Sequence, residues 1–499
     1  MKLQKLVKQK LNFASYLKRL AQKPKAFFYL SSIIILISYF RPIFTIWAYS
    51  DEYDFFEPAP KLGSHMSRDG HLLAGFVYEN FSATLVDMFG ELYPLRLMSF
   101  LFLYTILNHV STRILLQNQN RSIQFLLPIG LTLPTSLTFI SWGLIWQGSL
   151  AMLIGYFANV MWLKLLLRFR LIAVLMLVIS MLMSPVAAFS VFGFQALIFF
   201  FTQTKAVDYF KQLLGLVVFY GISGVVSLAC MLITLHFNDL ELNERVGTPS
   251  VSDLPKKAYW LVSRPIVVSM RFFDISSPST VQALGSTIIV CSVLLWGFKL
   301  QSRILGESVF ERTLLFSGTI LLSITPIAVT WSNQIEFRYL FGPSIALFTV
   351  TAFVILSLIP VKRIFQRNVY LSVLISIMLI GVSTMNMHVN NQFIDPFQSK
   401  NAFLESQVLK CKKENRLFEK IAIVQPTKSF PSRNNIGMFS QSTDLASPWV
   451  PVPSVKYVLK RLELPSIDVG LVDSLPDEIK QTCVIDLNLY RQSLVQTSK

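Results

Sequence analysis

Residues 26–57 read AFFYLSSIIILISYFRPIFTIWAYSDEYDFFE, and this stretch decides the fold. A helix needs about 20 apolar residues to cross a bilayer, and residues 26–49 supply them with one charge, Arg41. The run is too long for the core of a signal peptide, and no small-residue cleavage site precedes the acids, so it is expected to remain as a first span. Upstream, residues 1–25 carry Lys2, Lys5, Lys8, Lys10, Lys18, Arg19, Lys23 and Lys25 without an acid, interleaved with Leu3, Leu6, Val7, Leu11, Phe13, Leu17 and Leu20. That pattern predicts an amphipathic helix lying on an anionic cytoplasmic leaflet.

The whole chain agrees with its opening. Of 499 residues, 53% are apolar and 15% charged, against about 45–50% and about 25% in soluble domains. A soluble enzyme, a disordered chain, a collagen-like chain and a disulfide scaffold are thereby excluded. The net charge of +17 sits in short Lys and Arg clusters between apolar runs, the distribution of cytoplasmic loops rather than of a nucleic-acid surface. Four cysteines without a CxxC pair make no metal framework. No GxxxxGK[ST] loop occurs that would power a pump from within the chain.

Further spans are expected near residues 92–116, 122–140, 143–167, 171–183, 186–202, 213–235, 284–298, 313–331, 340–360 and 369–387, about eleven in all. The fifth and sixth are short and meet at Ser184-Pro185, so they either cross or form a re-entrant pair. Threading the chain this way puts Arg113, Arg121, Lys164, Arg168, Arg170, Lys205, Lys211, Lys299, Arg303, Arg312, Lys362, Arg363 and Arg367 on one side, the positive-inside side. The other side receives loops 50–91 and 236–283, the turn at 332–339 and everything after about residue 388. The expected fold is an all-α polytopic membrane bundle over residues 26–387 followed by a small extramembrane α/β domain at 388–499. In that domain, helices are expected at 401–415 and 454–462 and strands at 420–425 and 483–489. Cys411 and Cys483 are its two cysteines. They form a disulfide in an oxidising compartment or remain two buried thiols.

Polar chemistry gathers on the outer side, because the span interiors are read as nearly charge-free, with His109, Asn108, Asn159 and Gln195 as their main polar groups. An ion-coupled transporter would carry ionisable residues at mid-membrane. Asp51 and Glu52 emerge at the bilayer surface, where crowded carboxylates raise each other's pKa and one can serve as a base; acids at a span end also serve solvation alone. Downstream, Leu72, Leu73, Phe76, Val77, Phe81, Leu85, Met88 and Phe89 form an apolar stripe at spacings of three and four, a helix lying along the leaflet. The second loop repeats the theme, with Trp260, Leu261, Ile266, Val267, Met270 and Phe273 among Lys256, Lys257, Arg264 and Arg271. In Glu336-Phe337-Arg338-Tyr339, Arg338 sits at the rim of the bundle, either to fork onto a phosphate or to pair with Glu336. Arg68, Asp69 and His71 read either as substrate contacts or as a polar turn before a helix.

Together these features resemble the GT-C class of membrane glycosyltransferases, whose first span ends in paired acids where this chain has Asp51-Glu52. The finer resemblance is to the O-antigen-modifying, serotype-converting glucosyltransferases. It rests on Asp51-Glu52, on Arg68-Asp69-Gly70-His71-Leu72-Leu73 where relatives tend to have Gly-Arg-x-Leu, and on Glu336-Phe337-Arg338. His71 replaces an expected arginine, and Phe194-Gln195-Ala196 stands where a Tyr-Gln pair is common.

The resemblance implies an inverting transfer of glucose from undecaprenyl-phosphate-glucose to a sugar of lipid-linked O-antigen, in a bacterial inner membrane, with the N-terminus cytoplasmic and the C-terminus periplasmic. It implies Asp51, or Glu52, as base, and Arg338 with Arg271 or His71 at the departing phosphate. Some relatives use a divalent cation near the acids, which two adjacent carboxylates do not establish. Trp449 and Tyr457 are then either sugar platforms in the tail domain or its core. The rival readings are an O-antigen polymerase or ligase, which also needs outer arginines, and a glycan flippase, which needs a polar path through the bundle.

Overall fold

The computed structural model describes residues 25–45, 50–56, 62–116, 121–163, 167–241, 250–273, 280–329, 337–359, 364–414, 418–425, 451–465, 467–472 and 482–497. The expected amphipathic helix lies outside these residues apart from Lys25. The chain begins with α1 (Ala26–Ser38) and the short α2 (Phe40–Phe44). They part at Tyr39 because Pro42 has no N–H to return to Ser38. The first long loop holds α3 (Leu62–Arg68), α4 (Leu72–Val77) and α5 (Ala83–Phe89). Then come α6 (Tyr93–Leu115), α7 (Arg121–Ile129), α8 (Pro134–Ser141), α9 (Trp146–Trp162), α10 (Leu167–Met183), α11 (Pro185–Phe201) and α12 (Ala206–Phe237). After α13 (Leu254–Leu261) and α14 (Val267–Ser269) in the second long loop, α15 (Thr280–Leu305), α16 (Val309–Ser323), α17 (Thr325–Val329), α18 (Phe341–Ser357) and α19 (Ile364–Val389) complete the helical part.

Every expected span is largely helical over its described residues, but fewer meet the length and apolarity a crossing needs. Among the described residues these are Gly143–Trp162, Ala206–Phe237, Val281–Leu305 and Asn368–Val389, with Ser122–Thr132 and Pro134–Ser141 a fifth if that bent pair is one span. Burial sorts them into layers. Gly143–Trp162 is 67% buried, whereas Ala206–Phe237 is 33% and Val281–Leu305 and Asn368–Val389 are each 22% buried. The outer helices present Val218, Val225, Leu232, Ile288, Leu295 and Leu379 outward, an exposed apolar surface that suits lipid and not water. Inside, α8, α11 and α18 are buried nearly all round. The last two approach closely enough that a Cβ on Gly342 would collide with the Ser190 carbonyl and one on Gly193 with the Gly342 backbone. The Gly342 N–H donates to Ser190 Oγ at 2.7 Å.

Besides the junction expected at Ser184-Pro185, a bent pair lies at an earlier proline. α7 runs through a 3-10 turn at Gly130–Thr132 and then bends by 56° into α8. Pro134 opens α8, and Leu133 before it is extended at φ −69° and ψ 151°, the conformation a following proline imposes. At Ser184 the chain is also extended, and its Oγ caps α11 by accepting from the Ala187 N–H at 3.4 Å.

The interior is not charge-free: Arg96 on α6 and Arg312 on α16 are both sealed from solvent. Each donates to oxygens of neighbouring elements, Arg96 to Ser141 and Glu52, Arg312 through its Nη atoms to Thr204, Phe199, Gln301 and Glu307, while Arg312 Nε is left without a partner among the described residues.

No break separates the helical part from the tail. α19 continues through a wide turn at Asn390–Ile394 into α20 (Asp395–Glu414). Beyond it β1 (Lys420–Val424), α21 (Pro451–Arg461), β2 (Asp468–Val472), β3 (Thr482–Asp486) and α22 (Leu487–Thr497) form an α/β unit. Its three parallel strands are ordered β2-β1-β3, with Ile421 level with Val469 and Cys483. β2 was not expected. Residues 487–489 are helical rather than strand, because Asp486 Oδ1 accepts from the Asn488 N–H at 2.8 Å and caps α22. Cys411 on α20 and Cys483 on β3 are joined in a disulfide, Cα to Cα 5.5 Å.

Candidate functional site

The acids lie in a 3-10 turn, Ser50–Phe56, whose successive side chains go to three parts of the molecule. Asp51 belongs to this turn by its backbone, and its side chain lies outside the described residues. Glu52 enters the bundle and is fully buried. Its Oε2 lies 3.2 Å from Arg96 Nη2, and its Oε1 accepts the Gly143 N–H. Arg96 Nε donates to the Ser141 carbonyl at 3.0 Å, tying the end of α8 into the same group. A Cβ on Gly143 would come 3.0 Å from Glu52 Oε1, so glycine is what lets the backbone reach the carboxylate.

Tyr53 turns the other way, into the tail. Its ring lies 6.5 Å from Phe397 and 5.8 Å from Tyr457, with the buried Lys400 ammonium 4.1 Å from its centre, a cation–π arrangement. Tyr457 is therefore core, and Trp449 lies outside the described residues. Asp54 serves the first long loop. Its Oδ2 accepts from the Leu62 N–H at 3.0 Å and from the Tyr78 hydroxyl at 2.8 Å.

From α4 to α5 the buried residues are Ala74, Gly75, Tyr78, Ser82 and Val86. A spacing of four would drift round an α-helix, and the π turn at Tyr78–Ser82 widens the helix enough to hold it on one side. Phe76, Phe81, Met88 and Phe89 of the expected apolar stripe point outward instead, as residues dipping into lipid would. Ser82 Oγ receives Trp146 Nε1 at 2.9 Å and Gln147 Nε2 at 3.3 Å, anchoring the loop to α9.

Arg68, Asp69 and His71 form a helix stop. The His71 N–H bonds to the Met66 carbonyl and the Gly70 N–H to the Ser67 carbonyl, with Gly70 at φ 84°, the paired closure of a Schellman motif. Arg68 is exposed and Asp69 Oδ2 lies 3.5 Å from His65 Nε2. Arg271 follows α14, half-buried, its N–H on the Val268 carbonyl. Next to it Phe272 and Phe273 each pack 5.5 Å from Phe348. Arg338 lies in the 3-10 turn Phe337–Leu340, which packs against α8 and α11. Its side chain and the whole of Glu336 lie outside the described residues. Gln195 is buried in α11.

Two charged groups join this region to the tail. Burial pushes the Glu91 carboxyl above its ordinary range, against the opposing charges of Arg96 and Arg461. Arg461 in turn lies 3.1 Å from Glu405. Sequence reasoning missed Arg96 and Gly143, although an arginine two residues after Pro94 inside an apolar run was the available signal.

Among the described residues no three His, Cys, Asp or Glu side chains come together. Glu52 does not fit a cation, since a guanidinium and an amide N–H already hold its two oxygens. Compared with protein-family models, curated proteins and solved structures, the chain matches none.

Proposed function

We propose that the chain transfers a glucosyl residue from undecaprenyl-phosphate-glucose to a sugar of lipid-linked O-antigen at the periplasmic face of a bacterial inner membrane, inverting the anomeric centre. One observation carries the reading. The turn that bears Asp51 and Glu52 and the turn that bears Arg338, far apart in sequence, both pack on the segment from α8 to the 3-10 turn Gly143–Ile145. Turns bearing a base and a phosphate-binding guanidinium, brought to one short segment, support displacement from a lipid phosphate.

In the reaction Asp51 takes the proton of the acceptor hydroxyl as its oxygen bonds to the anomeric carbon. The bond from that carbon to the phosphate oxygen breaks, and the phosphate leaves with the electron pair towards Arg338 and Arg271. Glu52 holds the turn through Arg96 and Gly143 and so positions Asp51. The tail packs on the same turn through Tyr53, and its disulfide suits an oxidising compartment. The outward apolar residues of α4 and α5 suit a leaflet in which both lipid-linked substrates lie.

Asp51→Asn keeps the shape of the side chain and removes the base. The expected result is loss of the hexose branch from host lipopolysaccharide, read by glycan mass spectrometry, with membrane expression unchanged. Normal branching in this variant overturns the assignment. A change in polysaccharide chain length in place of a lost branch identifies a polymerase.

A further inference from the structure

We infer that the chain binds a phosphate-bearing anion, the phosphodiester of an anionic lipid headgroup, between the start of α1 and the end of α6. This is the opposite end of both helices from the acid turn, and the inference does not rest on the glucosyl reading. Lys25 Nζ donates to Asn108 Oδ1 at 3.0 Å and to Thr112 Oγ1. On the neighbouring row of α6, His109 Nδ1 lies 2.8 Å from the Tyr156 hydroxyl, which Arg113 also reaches. The spacings 108 to 112 and 109 to 113 are each one helical turn, so the two rows stand side by side.

Two cations are thus brought to one place, and among the described residues no carboxylate lies within ion-pair distance of either. Arg113 Nη1 is shielded from solvent and has no hydrogen-bond partner. The first turn of α1, next to Lys25, holds no acid and no side-chain cap, so its N–H groups add positive potential. A guanidinium nitrogen held this way lacks an acceptor, and a phosphate oxygen supplies one with matching geometry. The cleft opens towards lipid, since Tyr29, Leu30 and Leu116 beside it are exposed apolar residues. Basic clefts between membrane helices are recognised headgroup sites.

The test is thermal unfolding of the purified full chain in nonionic detergent with added phosphatidylglycerol, phosphatidylcholine or inorganic phosphate. Phosphatidylglycerol is expected to raise the midpoint by several degrees. Arg113→Gln and Lys25→Gln should weaken its binding about tenfold each, Arg113→Lys, which keeps the charge and loses the fork, should weaken it less, and the control Arg303→Gln on the exposed surface of α15 should leave it unchanged. A shift from inorganic phosphate alone, lost in Arg113→Gln, supports the phosphate site with a soluble occupant. A phosphatidylglycerol shift that persists in Arg113→Gln and Lys25→Gln, or an equal phosphatidylcholine shift that persists in them, reflects general lipid solvation and overturns the inference. No shift from any probe overturns it as well.

Discussion

Arg96 Nη2 stands 3.2 Å from Glu52 Oε2, with both side chains closed off from solvent, and this pair fixes the acid turn to the bundle. Removing one partner leaves a buried charge uncompensated, at a cost of about 3–5 kcal/mol. Arg96→Leu is therefore expected to lower the unfolding midpoint of the purified protein sharply, and the double variant Glu52→Leu with Arg96→Leu to recover much of the loss. On the proposed transfer, in which Glu52 positions the base, Glu52→Gln should lower kcat and leave the pH profile unchanged.

Glycine at 143 and 342 is required for different reasons. Gly143→Ala crowds Glu52 Oε1 at 3.0 Å and should reduce transfer several-fold with a stability loss of about 1–2 kcal/mol. Gly342→Ala drives a methyl into the Ser190 carbonyl where α11 and α18 cross. It should sharply lower the amount of folded protein recovered from membranes, measured by fluorescence-detected gel filtration.

Glu307 gives a pH dependence of definite sign. Burial pushes its carboxyl up, but the hydrogen bonds from Arg312 and the Ala206 N–H, together with the Arg312 charge, outweigh this and hold it below the ordinary value of 4.5. A depressed carboxyl stabilises the fold above its unfolded value, and the contribution is lost as pH falls through the folded one. Stability should thus decline below about pH 4.5, and Glu307→Gln should flatten that part of the curve in unfolding scans across acid pH.

The bond between Cys411 and Cys483 spans 72 residues, and its reduction should destabilise the tail by about 4 kcal/mol. Native protein should migrate differently on gels with and without reductant, and two freely alkylated thiols in untreated protein would contradict the bond.

Much of this architecture could be read from the chain because it depends on local composition. The apolar run ending at Asp51 and the apolar strands around Ile421 and Cys483 announce themselves. Where contacts between distant elements decide, the sequence says less. Arg96 is diluted by the leucines around it, and its meaning depends on Glu52, 44 residues earlier. β2 reads Asp-Val-Gly-Leu-Val, too polar and glycine-weakened to stand out, and becomes a strand because β1 offers its edge. Pro134 and Pro185 look alike in one dimension. Both open a helix after an extended residue, and the 56° bend at Pro134 follows a 3-10 turn that the sequence does not announce.

The helix that leaves the bundle as α19 enters the tail as α20 through a π turn, with no loop between them. Its lower half presents most of its surface outward, and its upper half carries Phe397 and Lys400 against Tyr53. The backbone thus runs as helix from the outward-facing surface of the bundle to the ring that neighbours Glu52, so the acid turn and a lipid-facing helix share one stretch of chain.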